Sequence, residues 1–88
     1  MHVKIVLMGN AQTDLHCNSE AYWEFSHLPR IGETVKNSVM SSQLNGIDGY
    51  LLSRGITDLQ DVQWVVKNIV YGMVGSEIVP VIYFELNR

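Results

Sequence analysis

The chain has 88 residues, of which 47% are apolar and only 17% are charged, and its formal net charge is −3. A chain of this length forms a single domain, residues 1–88, and its six scattered Lys and Arg residues count against nucleic acid as a partner, which needs a basic surface. With one cysteine, Cys17, and no apolar window of the roughly 18 residues that a membrane span needs, we expect a cytoplasmic protein without an internal disulfide or membrane contact.

Two strands and a loop are predicted before the first proline. Residues 3–8 alternate between two faces and are rich in β-branched side chains, which is typical of a strand. Residues 10–20 are polar and rich in turn formers, so they predict a surface loop. Alternation returns over 21–28, where Trp23 and Phe25 would anchor the core of a second strand.

A corner follows at Pro29 and Gly32. Proline fixes its own φ angle, and glycine accepts a φ angle that other residues resist, so the chain changes direction there. We expect a third strand over 31–36. Further core residues are predicted at Ile31, Val35, Val66 and Ile82.

The middle of the chain, about 38–61, breaks the strand pattern. The turn dipeptides Asn45-Gly46 and Asp48-Gly49 lie in it, and residues 50–54 favour a short helix that Gly55 would stop. We interpret this stretch as a helical or looped insertion over one end of the fold.

Residues 57–71 fit two structures. Their apolar residues form a helical stripe, and Thr57 with Gln60 would make a capping box at its start. The same stretch is rich in β-branched and aromatic residues, which favours a strand. Pattern alone leaves both structures open.

The last run, 78–86, predicts a strand that is apolar on both faces. Pro80 cannot donate a ladder hydrogen bond, so it must lie near the strand start or on an edge. A small body can cover only one face, so we expect the other to bind a partner. The predicted interaction residues are Val79, Val81, Tyr83, Tyr71 and Arg30. For Arg30 two roles are open, binding an anionic group or pairing with Glu33 at the corner.

Three segments together resemble small uncharacterised bacterial and phage proteins. These segments are residues 28–35 (LPRIGETV), which match an L-P-R-x-G-E-x-V corner, then 64–71 (WVVKNIVY) and 81–86 (VIYFEL). The resemblance implies a small, highly curved barrel of the Src-homology-three-like kind and a strand, not a helix, over 62–71. It implies no activity, so no catalytic residue is carried over.

Two constellations were considered for chemistry. Residues 14–20 hold four potential metal ligands, but no second ligand pair follows at a zinc-site spacing. Cys17 with His16 or His27 would combine a nucleophile and a base, but no orienting third group is visible. We therefore predict no catalytic, cofactor-binding or metal residue, and no cofactor.

These observations predict a mainly β protein, a small curved barrel of about five strands; the alternative is an α+β fold with a helix at 57–71. The predicted function is that of a non-enzymatic protein-interaction module, which forms a homodimer or binds a larger protein. One alternative is an accessory or antagonist protein of a phage or mobile element. The other is a small enzyme that uses Cys17, His16 or His27.

Overall fold

The computed structural model describes residues 1–88 as one curled, half-barrel sheet with two helices. The strands are β1 (His2–Met8), β2 (His16–Tyr22), β3 (Thr34–Lys36), β4 (Gln63–Val74) and β5 (Glu77–Asn87). The helices are α1 (Asn37–Gln43) and α2 (Ile47–Ser53), and a 3₁₀ turn spans Leu59–Asp61. Strands hold 45% of the residues, about twice the average share, so the prediction of a small, mainly β fold is confirmed.

The sheet has the order β2-β1-β5-β4-β3, in which only β1 and β5 run parallel. β5 therefore lies at the centre of the sheet, so of the two positions expected for Pro80 the one near the strand start is observed and the one on an edge strand is not. Pro80 is accommodated because the pairing with β1 begins only at Val81, so Pro80 has a strand neighbour on one side alone.

The second strand lies earlier than predicted. Residues 16–20, expected as part of a loop, form the edge strand β2 together with 21–22, whereas the rest of the predicted strand 21–28 is irregular. A strand at an edge, with one face in solvent, tolerates polar residues, so β2 carries no alternating apolar signal. Beyond it Trp23 is buried as predicted, but Phe25 is 49% exposed, which corrects its place in the core.

The corner at 29–33 is a turn, and its glycine has the expected positive φ of 91°. The amide of Gly32 donates to the carbonyl of Val66, which ties the corner to β4. The strand that follows is shorter than predicted, covering only β3. Ile31 precedes it and is largely exposed, so its predicted core position is wrong, while Val35 is partly buried against the core.

The stretch predicted as an insertion is helical and supplies one layer of the core. Met40 of α1 and Ile47 and Leu51 of α2 are buried against the sheet. The end of α2 is set by Gly55, whose amide donates to Leu52 while the amide of Ile56 donates to Leu51. This is a Schellman cap, and the expected stop at Gly55 is confirmed.

The helix considered for 57–71 is wrong, because most of this stretch belongs to β4. A bulge between Val66 and Asn68 inserts one residue into the strand. Trp64 and Val66 face the core before the bulge, and Ile69 faces it after the bulge. The spacing between core-facing residues therefore changes from two to three, and the three-residue step resembles the spacing of a helical stripe. Val66 and Ile82 are fully buried, as predicted.

One polar side chain lies inside this core. Asn37, at the start of α1, accepts a hydrogen bond from the indole nitrogen of Trp64 at 3.0 Å. Its own amide group donates to the carboxylate of Asp48 at 2.9 Å. These bonds join β4 to both helices and satisfy a buried amide that would otherwise destabilise the fold.

Candidate functional site

The β4–β5 hairpin is longer than the sheet that it belongs to. Pairing between β5 and β1 begins at Val81, and the contacts of β4 with β3 and its preceding turn end at Val66. Residues 68–80 therefore project as a two-stranded ribbon, here called the hairpin arm. Its two strands pair with each other up to Val74 and Glu77.

One face of the hairpin arm is apolar, and toward the tip of the arm it is uncovered. Tyr71, Met73 and Ile78 are 71%, 63% and 69% exposed. Met73 and Ile78 are direct cross-strand partners, and Tyr71 is two residues from Met73, so all three share a face. It is the same face that carries Ile69 and Ile82 at and just below the base of the arm, where the core covers them. The arm thus extends the core face of the sheet beyond the part that is covered.

On the opposite face of the sheet, the side chains of β5 at 79–83 are buried or half-buried. Val79 and Val81 are only 1% and 8% exposed, and Val81 lies between Lys4 of β1 and Val70 of β4. Tyr83 is half-buried on this face. These three predicted interaction residues therefore do not form an open surface.

The other two predicted interaction residues lie elsewhere. Tyr71 is exposed, but the bulge in β4 places it on the face opposite Tyr83. Arg30 lies at the corner with an exposed side chain, and its Nε is 3.9 Å from Glu33 Oε1. The five predicted residues therefore do not come together in one site, and Tyr71 is the one that belongs to the hairpin arm.

The hairpin arm also has a free backbone edge. No strand lies beside β4 after Val66, so alternate residues of the arm direct main-chain N–H and C=O groups outward. Glu77 is the only charged residue between 68 and 80. Charged side chains commonly prevent such an edge from pairing with another strand, and this edge has very few.

A second concave region lies beside the buried Trp23. It is a cleft of about 430 Å³ between the loop after β2 and the start of α1. Its lining includes Trp23, Phe25, His27, Glu33, Lys36 and Val39. The indole nitrogen of Trp23 is buried and has no hydrogen-bond partner. Because Glu33 and Lys36 line the cleft together, its charges favour neither an anionic nor a cationic ligand.

The candidate catalytic residues are distributed over separate places. Cys17 lines a small cavity of about 120 Å³ beside Tyr50, whereas His27 lines the larger cleft. His16 and Cys17 are consecutive in β2, so their side chains point to opposite faces of the strand. No group of three or more His, Cys, Asp or Glu residues is placed to hold a metal ion.

No family model, curated protein or solved structure matches this chain. None of its helices has the length and apolar character to cross a membrane. The features on which a function can be argued are therefore those of the fold itself, a curled half-barrel from which a hairpin with a single charged residue projects.

Met73 and Ile78 were missing from the predicted interaction residues. Both flank the Gly75-Ser76 turn of a long hairpin, where the apolar pattern continues up to the turn. This continuity is the sequence signal that could have found them, because a surface hairpin normally becomes polar near its tip.

Proposed function

We propose that the chain is a non-enzymatic protein-interaction module that binds another protein chain through its hairpin arm. The observation that carries this proposal is the exposure of Tyr71, Met73 and Ile78 on one face. Apolar side chains grouped in this way gain free energy when a partner removes them from water, and such patches mark binding surfaces.

The backbone edge of β4 supports the same function. A partner strand that pairs with this edge would satisfy its outward N–H and C=O groups and would bury the neighbouring apolar side chains. Main-chain hydrogen bonds would supply affinity, and side-chain fit on the apolar face would supply specificity. The proposal names no catalytic residue, because Cys17 and His27 line different cavities.

The proposal extends to the biological setting of the protein. A lone cysteine fits a reducing compartment, so we place the protein in the cytoplasm. An accessory or antagonist protein of a phage or mobile element is an alternative that would use the same arm, since a small antagonist also acts by binding.

The test is a comparison of two single substitutions to lysine. Met73→Lys places a charge on the apolar face of the arm, whereas Leu52→Lys places one at a 51% exposed position of α2. Each variant is checked for its melting temperature, then for self-association by sedimentation and for proteins recovered by affinity capture from a lysate. We expect Met73→Lys to lose every interaction of the wild type and Leu52→Lys to keep them. A wild type that stays monomeric and recovers nothing, or equal effects of both variants, would contradict the proposal.

A further inference from the structure

We infer that the partner of the hairpin arm is a second copy of this chain, whose β4 edge pairs antiparallel with the first around a two-fold axis. This inference rests on the proposed function and names its partner. Two-fold pairing uses the same surface on both copies, so the exposed apolar face and the free edge of one arm would meet their own equivalents.

The two edges of the hairpin arm are not equally able to pair. On the β5 side, Pro80 removes one backbone donor from the short stretch that β1 leaves free. On the β4 side, residues 68–74 contain no proline. The β4 edge is therefore the one that can form a regular ladder.

A two-fold axis through Tyr71 gives a register that matches apolar residues. Tyr71 then lies opposite Tyr71 of the partner subunit, and Ile69 lies opposite Met73 of the partner subunit. All three positions are on the face that the core leaves uncovered beyond Ile69. Aromatic and apolar pairs directly across two strands stabilise a sheet.

The charges at the two ends of the arm agree with this register. Lys67, at the base of one arm, would lie opposite Gly75 of the partner subunit, close to Glu77 of the partner subunit. In the single chain Lys67 pairs with Glu85 at 3.7 Å and Glu77 lies 3.6 Å from His2. Lys67 and Glu77 are both more than half exposed, so they can exchange these surface contacts for each other. The two copies of Glu77 lie at opposite ends of the paired strands. Self-pairing therefore brings opposite charges together although each chain has a net charge of −3.

The test is a charge exchange at the two-fold axis. Tyr71→Lys and Tyr71→Glu each place like charges directly opposite one another, which should weaken the dimer about tenfold or more by sedimentation velocity. An equimolar mixture of the two variants should form a heterodimer, because opposite charges then meet. The control is Tyr22→Lys on β2, since Tyr22 is 72% exposed and Tyr71 is 71% exposed. It should leave the wild-type dimer unchanged.

The possible results separate this inference from the proposed function. A wild type that is monomeric at high micromolar concentration overturns the second copy as partner. If that monomer still captures another protein and Met73→Lys abolishes the capture, the arm remains a binding surface for a different chain. A dimer that persists in both Tyr71 variants, or one that the mixture fails to restore, also overturns the inference.

Discussion

The two halves of the β4–β5 hairpin have the same strand pairing and opposite surroundings. In the body, Trp64, Val66 and Phe84 are fully buried, whereas Tyr71 and Met73 in the hairpin arm are largely exposed. Both sets lie on the same face of the sheet. Alternation along a strand therefore determines which face a side chain joins, while a second layer determines whether that face is buried.

The largest difference between body and arm is expected on truncation to alanine. Phe84→Ala removes a fully buried ring that stacks against Trp23, so it should lower the free energy of unfolding by about 3–5 kcal/mol. Tyr71→Ala removes an equally large ring from the surface and should change it by about 0.5 kcal/mol or less in a monomeric sample. Urea unfolding at low protein concentration measures both.

The loss of unfolding free energy in Phe25→Ala should lie between those of Phe84→Ala and Tyr71→Ala. The sequence alone predicts a core residue with a cost like that of Phe84, but half of this ring is exposed and it makes one edge contact with Trp23 at 5.4 Å. We expect a loss of about 1 kcal/mol. Equal losses of unfolding free energy in Phe25→Ala and Phe84→Ala would contradict the exposed position of Phe25 in the loop after β2.

A larger effect than that of Phe25→Ala is expected on the opposite face of the sheet, where Val79 and Val81 of β5 are buried. From sequence, a lysine at Val81 is expected to dissociate an assembly and to leave the fold intact. Because Val81 is buried, Val81→Lys should instead lower the free energy of unfolding by about 3 kcal/mol. Val70→Lys, at the cross-strand neighbour that is more exposed, is the matched control and should cost much less. A wild-type stability for Val81→Lys would show that this face is open.

A local effect is expected at the tip of the arm. Gly75 has a φ of 61°, so Gly75→Ala should strain the turn by about 1 kcal/mol. Because β3 and its turn pair with β4 only up to Val66, and β1 pairs with β5 only from Val81, the strain should open the arm locally. Amides of 70–78 should then exchange faster while those of β1 are unchanged. Uniformly faster exchange would mean that arm and body unfold as one unit.

Strands can be predicted from the sequence where one face packs on the core, because that packing requires apolar residues at regular spacing. β1 and β5 have apolar side chains at regular spacing because each has a face on the core, and both were predicted near their observed bounds. β2 lies at an edge and is largely polar, so nothing distinguishes it from a loop. The Trp23 and Phe25 pair imitates a strand although only Trp23 enters the core.

The candidate site could be predicted only in part. The apolar residues of 78–86 led to the prediction of a binding face, and of the interaction residues named for it Tyr71 is exposed on the hairpin arm. The face was wrong for Val79 and Val81, because both side chains are buried. Whether these two side chains are buried depends on the strand order and on the bulge before Asn68, and no local sequence pattern specifies either.

The two tryptophans differ in the surroundings of their indole N–H groups, and this makes them separate optical reporters. Trp64 is enclosed in the body and donates to Asn37, so its emission should change only when the body unfolds. Trp23 lines the cleft beside Phe25, and its indole nitrogen has no partner. In a Trp64→Phe variant, the remaining fluorescence would come from the wall of the cleft alone. A molecule that enters the cleft would therefore change the quenching of Trp23 fluorescence, so its binding could be detected before its chemistry is known.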